Sequence, residues 1–320
     1  MVGRNDDYGG DFKQRLQLCI NWTHSLLSAH KIKAEIIFVN YNPLPETAIK
    51  NFIDWPPRNQ YVTTRLITVS PELHKNLVSE KQVKDVPVLE YIAKNVGIRR
   101  AQGEYILAMN PDVLVPDSIV KKWDTWNAAS YYRANRIDYE GDLGAGSFTR
   151  LFLKGHSYPF SRSKNFFYPF YVFYNKLLCL WRLNTVNIGK PLELIRLNVY
   201  THNAEFRYHC NVSGDFLLMH SSAWGKLNSY AENTPLALHT DALMVVQAAT
   251  SGLKERVFFA PVFHKEHSRR YDTKTENPEY RKAYLFFQEQ AQEMINHKKL
   301  FIYNSEKWGL AEYSLPEETL

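Results

Sequence analysis

Asn95-Val96-Gly97-Ile98-Arg99-Arg100-Ala101-Gln102-Gly103-Glu104-Tyr105-Ile106-Leu107-Ala108-Met109-Asn110-Pro111-Asp112 is the stretch on which the fold turns. Its first residues close a segment from Val88 to Ala101 that reads as a helix, with Arg99 and Arg100 near its end. Gly103 lets the chain reverse, and Glu104 to Met109 is a short apolar run of the kind that forms a buried strand. That strand delivers three turn formers, Asn110, Pro111 and Asp112, to its carboxyl end. A helix carrying two arginines can put a cation near a diphosphate, and the strand sets a carboxylate at the rim of a crevice.

The same alternation runs upstream. Met1-Val2-Gly3 reads as the end of a short first strand, as though residues preceded it, and Gly9-Gly10 permits a tight turn. Asp11 has the look of an N-cap for a helix in which Phe12, Leu16, Cys19, Ile20, Leu26 and Leu27 recur near the helical period. Glu35 to Val39 and Leu66 to Val69 follow as strands, so a mostly parallel sheet flanked by helices is the economical α/β solution. Arg4 to Asp7, Asn40 to Asn42 and Asn110 to Asp112 would then emerge at carboxyl strand ends, where such sheets bind ligands. Downstream, a strand is expected from Gly214 to Met219, a helix from Asp241 to Thr250, a strand from Arg256 to Val262 and a long helix from Glu279 to Lys298.

Composition narrows the function classes. Of 320 residues, 45% are hydrophobic and 22% charged, proportions that exclude a disordered tail or a fibrous protein. The net charge of +6 is concentrated from Ser147 to Lys190, where Arg150, Lys154, Arg162, Lys164, Lys176, Arg182 and Lys190 meet no acid and residues 166 to 174 are almost wholly aromatic. That segment, 147–190, is either an insertion packed on the domain or a peripheral contact with an anionic membrane surface. A nucleic-acid partner is the weaker reading, because no RNA- or DNA-binding motif accompanies the basic residues. Three cysteines without metal-like spacing predict reduced thiols and a cytoplasmic setting. The N-terminal residues lack the pattern of a secretory signal, and no long uncharged apolar run marks a spanning helix.

The Asn95 to Asp112 stretch resembles the N-x-G-x-x-x-A-x-G pattern of family 2 glycosyltransferases of the GT-A fold, which leads through a strand into a metal-binding D-x-D-like motif. Three further segments are similar to parts of that family: Asn211 to Met219 with the helix carrying Trp224, His239 to Met244, and Pro261 to Arg270. The resemblance implies a GT-A (Rossmann-like), mixed and mostly parallel sheet with a basic aromatic insertion and a C-terminal helical extension. It implies a nucleotide-sugar-binding half over 1–130, an acceptor and catalytic half over 131–270, and an extension over 271–320. It further implies an inverting transferase that moves a sugar from a nucleotide-diphosphate donor to a glycan or lipid-linked acceptor. Arg4, Asn5, Asp6, Asn40, Arg99 and Asn110 would bind the donor, Asp112 and His264 would hold Mn²⁺ or Mg²⁺, Asp215 and Trp224 would contact the acceptor, and Asp241 would be the base.

Each of these residues also has a plainer reading. Asn110-Pro111-Asp112 suits any turn after a strand, and Asn110 stands where the family usually has an aspartate. Asp215 suits a strand start, and Asp241 a helix N-cap. His264 and His267 have a zinc-like spacing, but no third ligand lies beside them in sequence, which argues against a zinc protease. A catalytically silent carbohydrate-binding or scaffold protein on the same fold is the alternative. A nucleotidyltransferase would want a lysine in the glycine loop after the first strand, and Gly9-Gly10 lacks one.

Overall fold

Burial on both faces organises the first sheet of the computed structural model, which describes residues 1–81, 86–139, 156–157, 208, 210, 212–233, 238–258, 260–268 and 277–320. Strands β1 (Val2–Gly3), β2 (Ala34–Tyr41) and β3 (Val62–Val69) run parallel in that order. Side chains alternate across a strand. Ile36, Phe38, Val62 and Leu66 therefore pack on Phe12, Leu16 and Ile20 of helix α1 (Phe12–Ala29). From the other face Val39, Tyr41, Ile67 and Val69 meet Leu77 of α2 (Pro71–Lys81) and Ile92, Ala93 and Val96 of α3 (Glu90–Arg100). A Cβ on Gly97 would lie 3.3 Å from Val39 Cγ2, so glycine lets α3 sit close on β2.

Two further sheets complete the described fold, so the single continuous sheet expected from the sequence is replaced by three four-stranded ones. The second has the order β10-β6-β9-β4 and the third β5-β11-β7-β8. Their strands are β4 (Tyr105–Ala108), β5 (Val113–Leu114), β6 (Ser130–Arg133), β7 (Arg136–Tyr139), β8 (His156–Ser157), β9 (Leu217–His220), β10 (Lys254–Val257) and β11 (Val262–Lys265). The expected strand from Arg256 to Val262 is thus two strands. Pro261 has no backbone N–H to continue a ladder, and the chain steps there from one sheet to the next. Its parallel partner steps at the same level, between β6 and β7: Phe258 N donates to Arg133 O at 2.9 Å and Val262 N to Asn135 O at 2.8 Å.

Helices α5 (Ser221–Lys226), α6 (Thr240–Thr250) and α7 (Pro278–His297) cover the second sheet, while α4 (Asp117–Val120) packs its Ile119 and Val120 beside the third. Leu217 and Met219 of β9 face Trp224, α6 and α7, and Leu218 faces β5, β7 and β11. The C-terminal region is not wholly helical. Strand β12 (Glu317–Thr319) pairs antiparallel with β3 and covers an otherwise open sheet edge. Asp11 holds the N-cap position of α1, its carbonyl accepting from Arg15 N at 3.0 Å, but at φ 50° its side chain does not cap: it pairs with Arg15 and Lys265, and Asp7 Oδ1 accepts from Phe12 N at 3.1 Å instead. Apart from His156 and Ser157, the segment 147–190 lies outside the described residues, as do Asn211, Arg269 and Arg270. No described helix is long and apolar enough to cross a membrane.

Candidate metal centre

The strand register assembles the site. His264 on β11 lies opposite Val113 of antiparallel β5 and opposite Asp138 of parallel β7. Residues paired across a ladder share a face, so the imidazole is set between Asp138 and the end of the turn that carries Asp112. His267 follows three residues later, and its ring packs edge-on against Tyr8, with centroids 5.4 Å apart. Gly9, at φ +74°, is where the first loop meets this histidine: a Cβ there would lie 2.5 Å from His267 Nδ1.

Asp112, His264 and His267 each offer one ligand atom, and these lie within 4.8 Å of one another. His264 Nε2 is 3.8 Å from Asp112 Oδ1, and His267 Nε2 is 3.1 Å from Asp112 Oδ2. The opposite nitrogen of each ring is already committed. His264 Nδ1 lies 2.8 Å from Asp138 Oδ1, and His267 Nδ1 lies 2.8 Å from Ser268 O. A carbonyl or carboxylate only accepts, so both Nδ1 atoms carry hydrogen and both Nε2 lone pairs face Asp112. Three electron-pair donors then converge on one point, an arrangement that needs a cation, either a proton on an imidazole or a metal ion. Asp112 Oδ1 is buried with no hydrogen-bond partner, so the residues fit a metal. Anchoring each ring through its outer nitrogen is how metal-binding histidines are oriented.

Electrostatics point the same way. Burial pushes the Asp112 carboxyl up, but with a proton on the imidazoles in place of an ion, His264 and His267 together with Arg15 outweigh it and hold the group well below the usual carboxylate range. Asp138 is likewise lowered against its burial by His264 and Arg136. Among the described residues, Asp11, Asp112, Asp138 and Asp215 are drawn together by ion pairs to Arg15, Arg136 and Lys265.

The expected site residues separate into those near this centre and those away from it. Asn110 donates from Nδ2 to Asp215 Oδ1 at 2.7 Å, and Asp215 pairs through Oδ2 with Arg136. Asp215 is buried with both oxygens taken by protein donors, so it braces Asn110 and does not present a free carboxylate to an acceptor. Asp241 opens α6 and accepts through Oδ2 from Ser213 Oγ at 2.9 Å and Gly214 N at 2.7 Å. Lys94 of α3 reaches the same turn, donating to Gly214 O at 2.8 Å.

Arg4 donates to Asn42 O at 2.7 Å and pairs with Asp6 at 3.6 Å, while Asn5 bridges to Leu44 N at 2.6 Å and Leu44 O at 2.8 Å. The first loop is thereby tied to the loop after β2, and Asn40 is a buried β2 residue. Trp224 is fully buried, with Nε1 donating to Ile106 O at 3.1 Å, because α5 packs against β9 and β4; it is core and not an acceptor platform. Arg99 is also away from the centre. Helix α3 runs antiparallel to β4, so its last turn lies at the opposite edge, where Arg99 stacks over Trp308 at 4.8 Å. Gly103 does not need a left-handed backbone; its N–H donates to Glu35 Oε1 at 3.2 Å.

Sequence reasoning did not single out His267 as a ligand, nor Arg15, Arg136 and Asp138 as its surroundings. The third ligand that the His264-His267 spacing lacked in sequence is Asp112, brought from more than 150 residues away by the β5–β11 pairing. An available signal was Arg136-Ile137-Asp138, two charges at strand spacing on one face. No protein-family model matches the chain, and a search of curated proteins finds no match either. The site therefore stands on its geometry: a buried Asp/His/His group in an α/β fold, able to coordinate a metal ion.

Proposed function

We propose that the chain is an inverting, metal-dependent glycosyltransferase that moves a sugar from a nucleoside-diphosphate donor to a hydroxyl of a glycan or lipid-linked acceptor. The observation that carries this is the convergence of Asp112, His264 and His267, reached from the helix-Gly-strand stretch that resembles family 2 enzymes. Those three residues would hold the ion. Two imidazoles suit Mn²⁺ better than Mg²⁺, which prefers oxygen and gives up its water reluctantly. When bound, the ion offsets the charge that develops on the leaving diphosphate.

The chain's own residues supply the rest. Asn110 spends its Nδ2 on Asp215, which leaves its carbonyl oxygen to accept from a ribose hydroxyl. Arg15, held by Asp112 at 2.8 Å and by the Tyr8 and Gly10 carbonyls, fixes the first loop against the ligand carboxylate. Asp241 takes the acceptor proton, and Ser213 and Gly214 fix its orientation. A single displacement with one base inverts the anomeric configuration.

The test incubates the full chain with UDP- and GDP-sugars and simple glycoside acceptors, with Mn²⁺ or with EDTA. Release of nucleoside diphosphate that requires Mn²⁺ and acceptor supports the proposal. Tight nucleotide-sugar binding without release in any combination overturns it in favour of the carbohydrate-binding alternative, which Asn110 in place of a second acid favours.

A further inference from the structure

Two residues of β7 lie between the candidate metal centre and the acceptor-side turn, and neither is a ligand. Asp138 Oδ1 receives His264 Nδ1 at 2.8 Å and also lies 2.9 Å from Arg136 Nε, while Asp138 Oδ2 accepts from Arg136 Nη2 at 3.2 Å. Arg136 reaches on through Nη1 to Asp215 Oδ2, and Asp215 Oδ1 holds the Asn110 amide. Arg136, Asp138 and Asp215 are all buried. The result is an unbroken charge-assisted chain: His264, Asp138, Arg136, Asp215, Asn110.

We propose that Asp138 and Arg136 are positioning residues: Asp138 fixes His264 as the Nδ1–H tautomer with Nε2 aimed at Asp112 and His267, and Arg136 couples that arrangement to the setting of Asn110. The coupling rests on the metal reading of the centre and not on sugar transfer. The chemistry is directional. Guanidinium has donors only and an ionised carboxylate acceptors only, so Arg136 can hold Asp138 and Asp215 together and no tautomer of either pair reverses the order. A ring whose Nδ1 must donate keeps its Nε2 lone pair for an ion. A bound ion would restrain His264 through Nε2, and any resulting shift of the ring would reach Asp215 through the Asp138 carboxylate and the fork of Arg136. This is a physical path, and its test is energetic coupling, not proximity.

The experiment uses the full chain labelled with ¹⁵N. Long-range proton-nitrogen spectra of the ion-free protein, with His264 assigned by its loss in His264→Asn, read the tautomer directly. Wild type is expected to show Nδ1–H, and Asp138→Ala to shift His264 toward Nε2–H while Mn²⁺ affinity, read by calorimetry, falls about 10- to 100-fold. If Asp138→Ala does not fold, Arg136→Gln carries the test, since it leaves the Asp138–His264 contact in place. In that variant His264 should stay Nδ1–H, but the Asn110 side-chain amide, expected to shift in wild type when diamagnetic Zn²⁺ is added, should stop responding. An unchanged tautomer with Mn²⁺ affinity within about twofold in Asp138→Ala overturns the positioning role. A wild-type Asn110 response in Arg136→Gln overturns the coupling. Failure of wild type to bind either ion overturns the metal reading and the coupling together, and the ion-free tautomer still decides the role of Asp138.

Discussion

The two ends of the Asn95 to Asp112 stretch both carry strongly polar side chains and put them to opposite uses. At the end of α3, Arg100 donates to Val96, Gly309, Leu310 and Tyr313 carbonyls and Arg99 lies over Trp308. Every acceptor there is backbone or ring, and the cations fasten the C-terminal residues to the helix. At the end of β4, Asn110 and Asp112 meet side chains from three other elements, and Asp112 Oδ1 is left without a hydrogen bond. A fastening saturates its donors and acceptors, whereas a binding site keeps some lone pairs unspent. The comparison implies that substitutions at the second edge change chemistry and binding, and those at the first change stability alone.

The largest expected effect belongs to Asp241. Asp241→Asn keeps the shape and most of the hydrogen bonding to the Ser213–Gly214 turn but removes the proton acceptor. Turnover should fall by about two to four orders of magnitude with donor binding close to normal. Proton NMR of the product reads the outcome, and retained configuration or near-normal turnover removes Asp241 from the mechanism. The next is Asp112→Asn, which takes the charge from the only carboxylate among the three ligands. Mn²⁺ affinity by calorimetry should drop about 100-fold or more. An unchanged affinity would place the ion elsewhere and erase the distinction between the two edges.

How much of this was legible in the sequence follows from the range of the physics involved. Helix-strand alternation over residues 1 to 112 is set by local periodicity, and α1, β2, β3, α3 and β4 appear within a few residues of expectation. The break into three sheets depends on where Ala134-Asn135 and Pro261 step side by side, and their pairing across more than 120 residues leaves no local trace. Asp112 and His264 were legible as ligand types at strand ends. The role of His267 was not, because the Gly9 backbone and the Ser268 carbonyl that orient it act only once the first loop folds against β11. Arg99 misled for a geometric reason: spacing in a helix-strand motif says how close two residues are in sequence but not which edge of the sheet each reaches. Trp224 misled because an indole with one donor is satisfied as readily by a core carbonyl as by a sugar.

At the fastening edge, Arg100→Ala removes a charged donor shared among carbonyls that hold residues 309 to 313. Urea denaturation should show a loss of about 2 kcal/mol, the range for hydrogen bonds to a charged group, while Mn²⁺ affinity stays at the wild-type value. A fall in ion affinity without a fall in stability would mean that the C-terminal segment reaches the centre after all.

Arg99→Ala gives the smallest effect and separates the two readings of this arginine most directly. If Arg99 serves the donor diphosphate, its removal should weaken nucleoside-diphosphate binding about tenfold or more, as losing a charged partner does. If it serves Trp308, only the cation-ring attraction is lost, about 0.5–1 kcal/mol at an exposed position. The indole should report this through its fluorescence, and UDP or GDP titration should be unaltered. Arg99 closes the last turn of α3 with its guanidinium already over the Trp308 ring, so the stability change is the expected result and the binding constant the expected invariant.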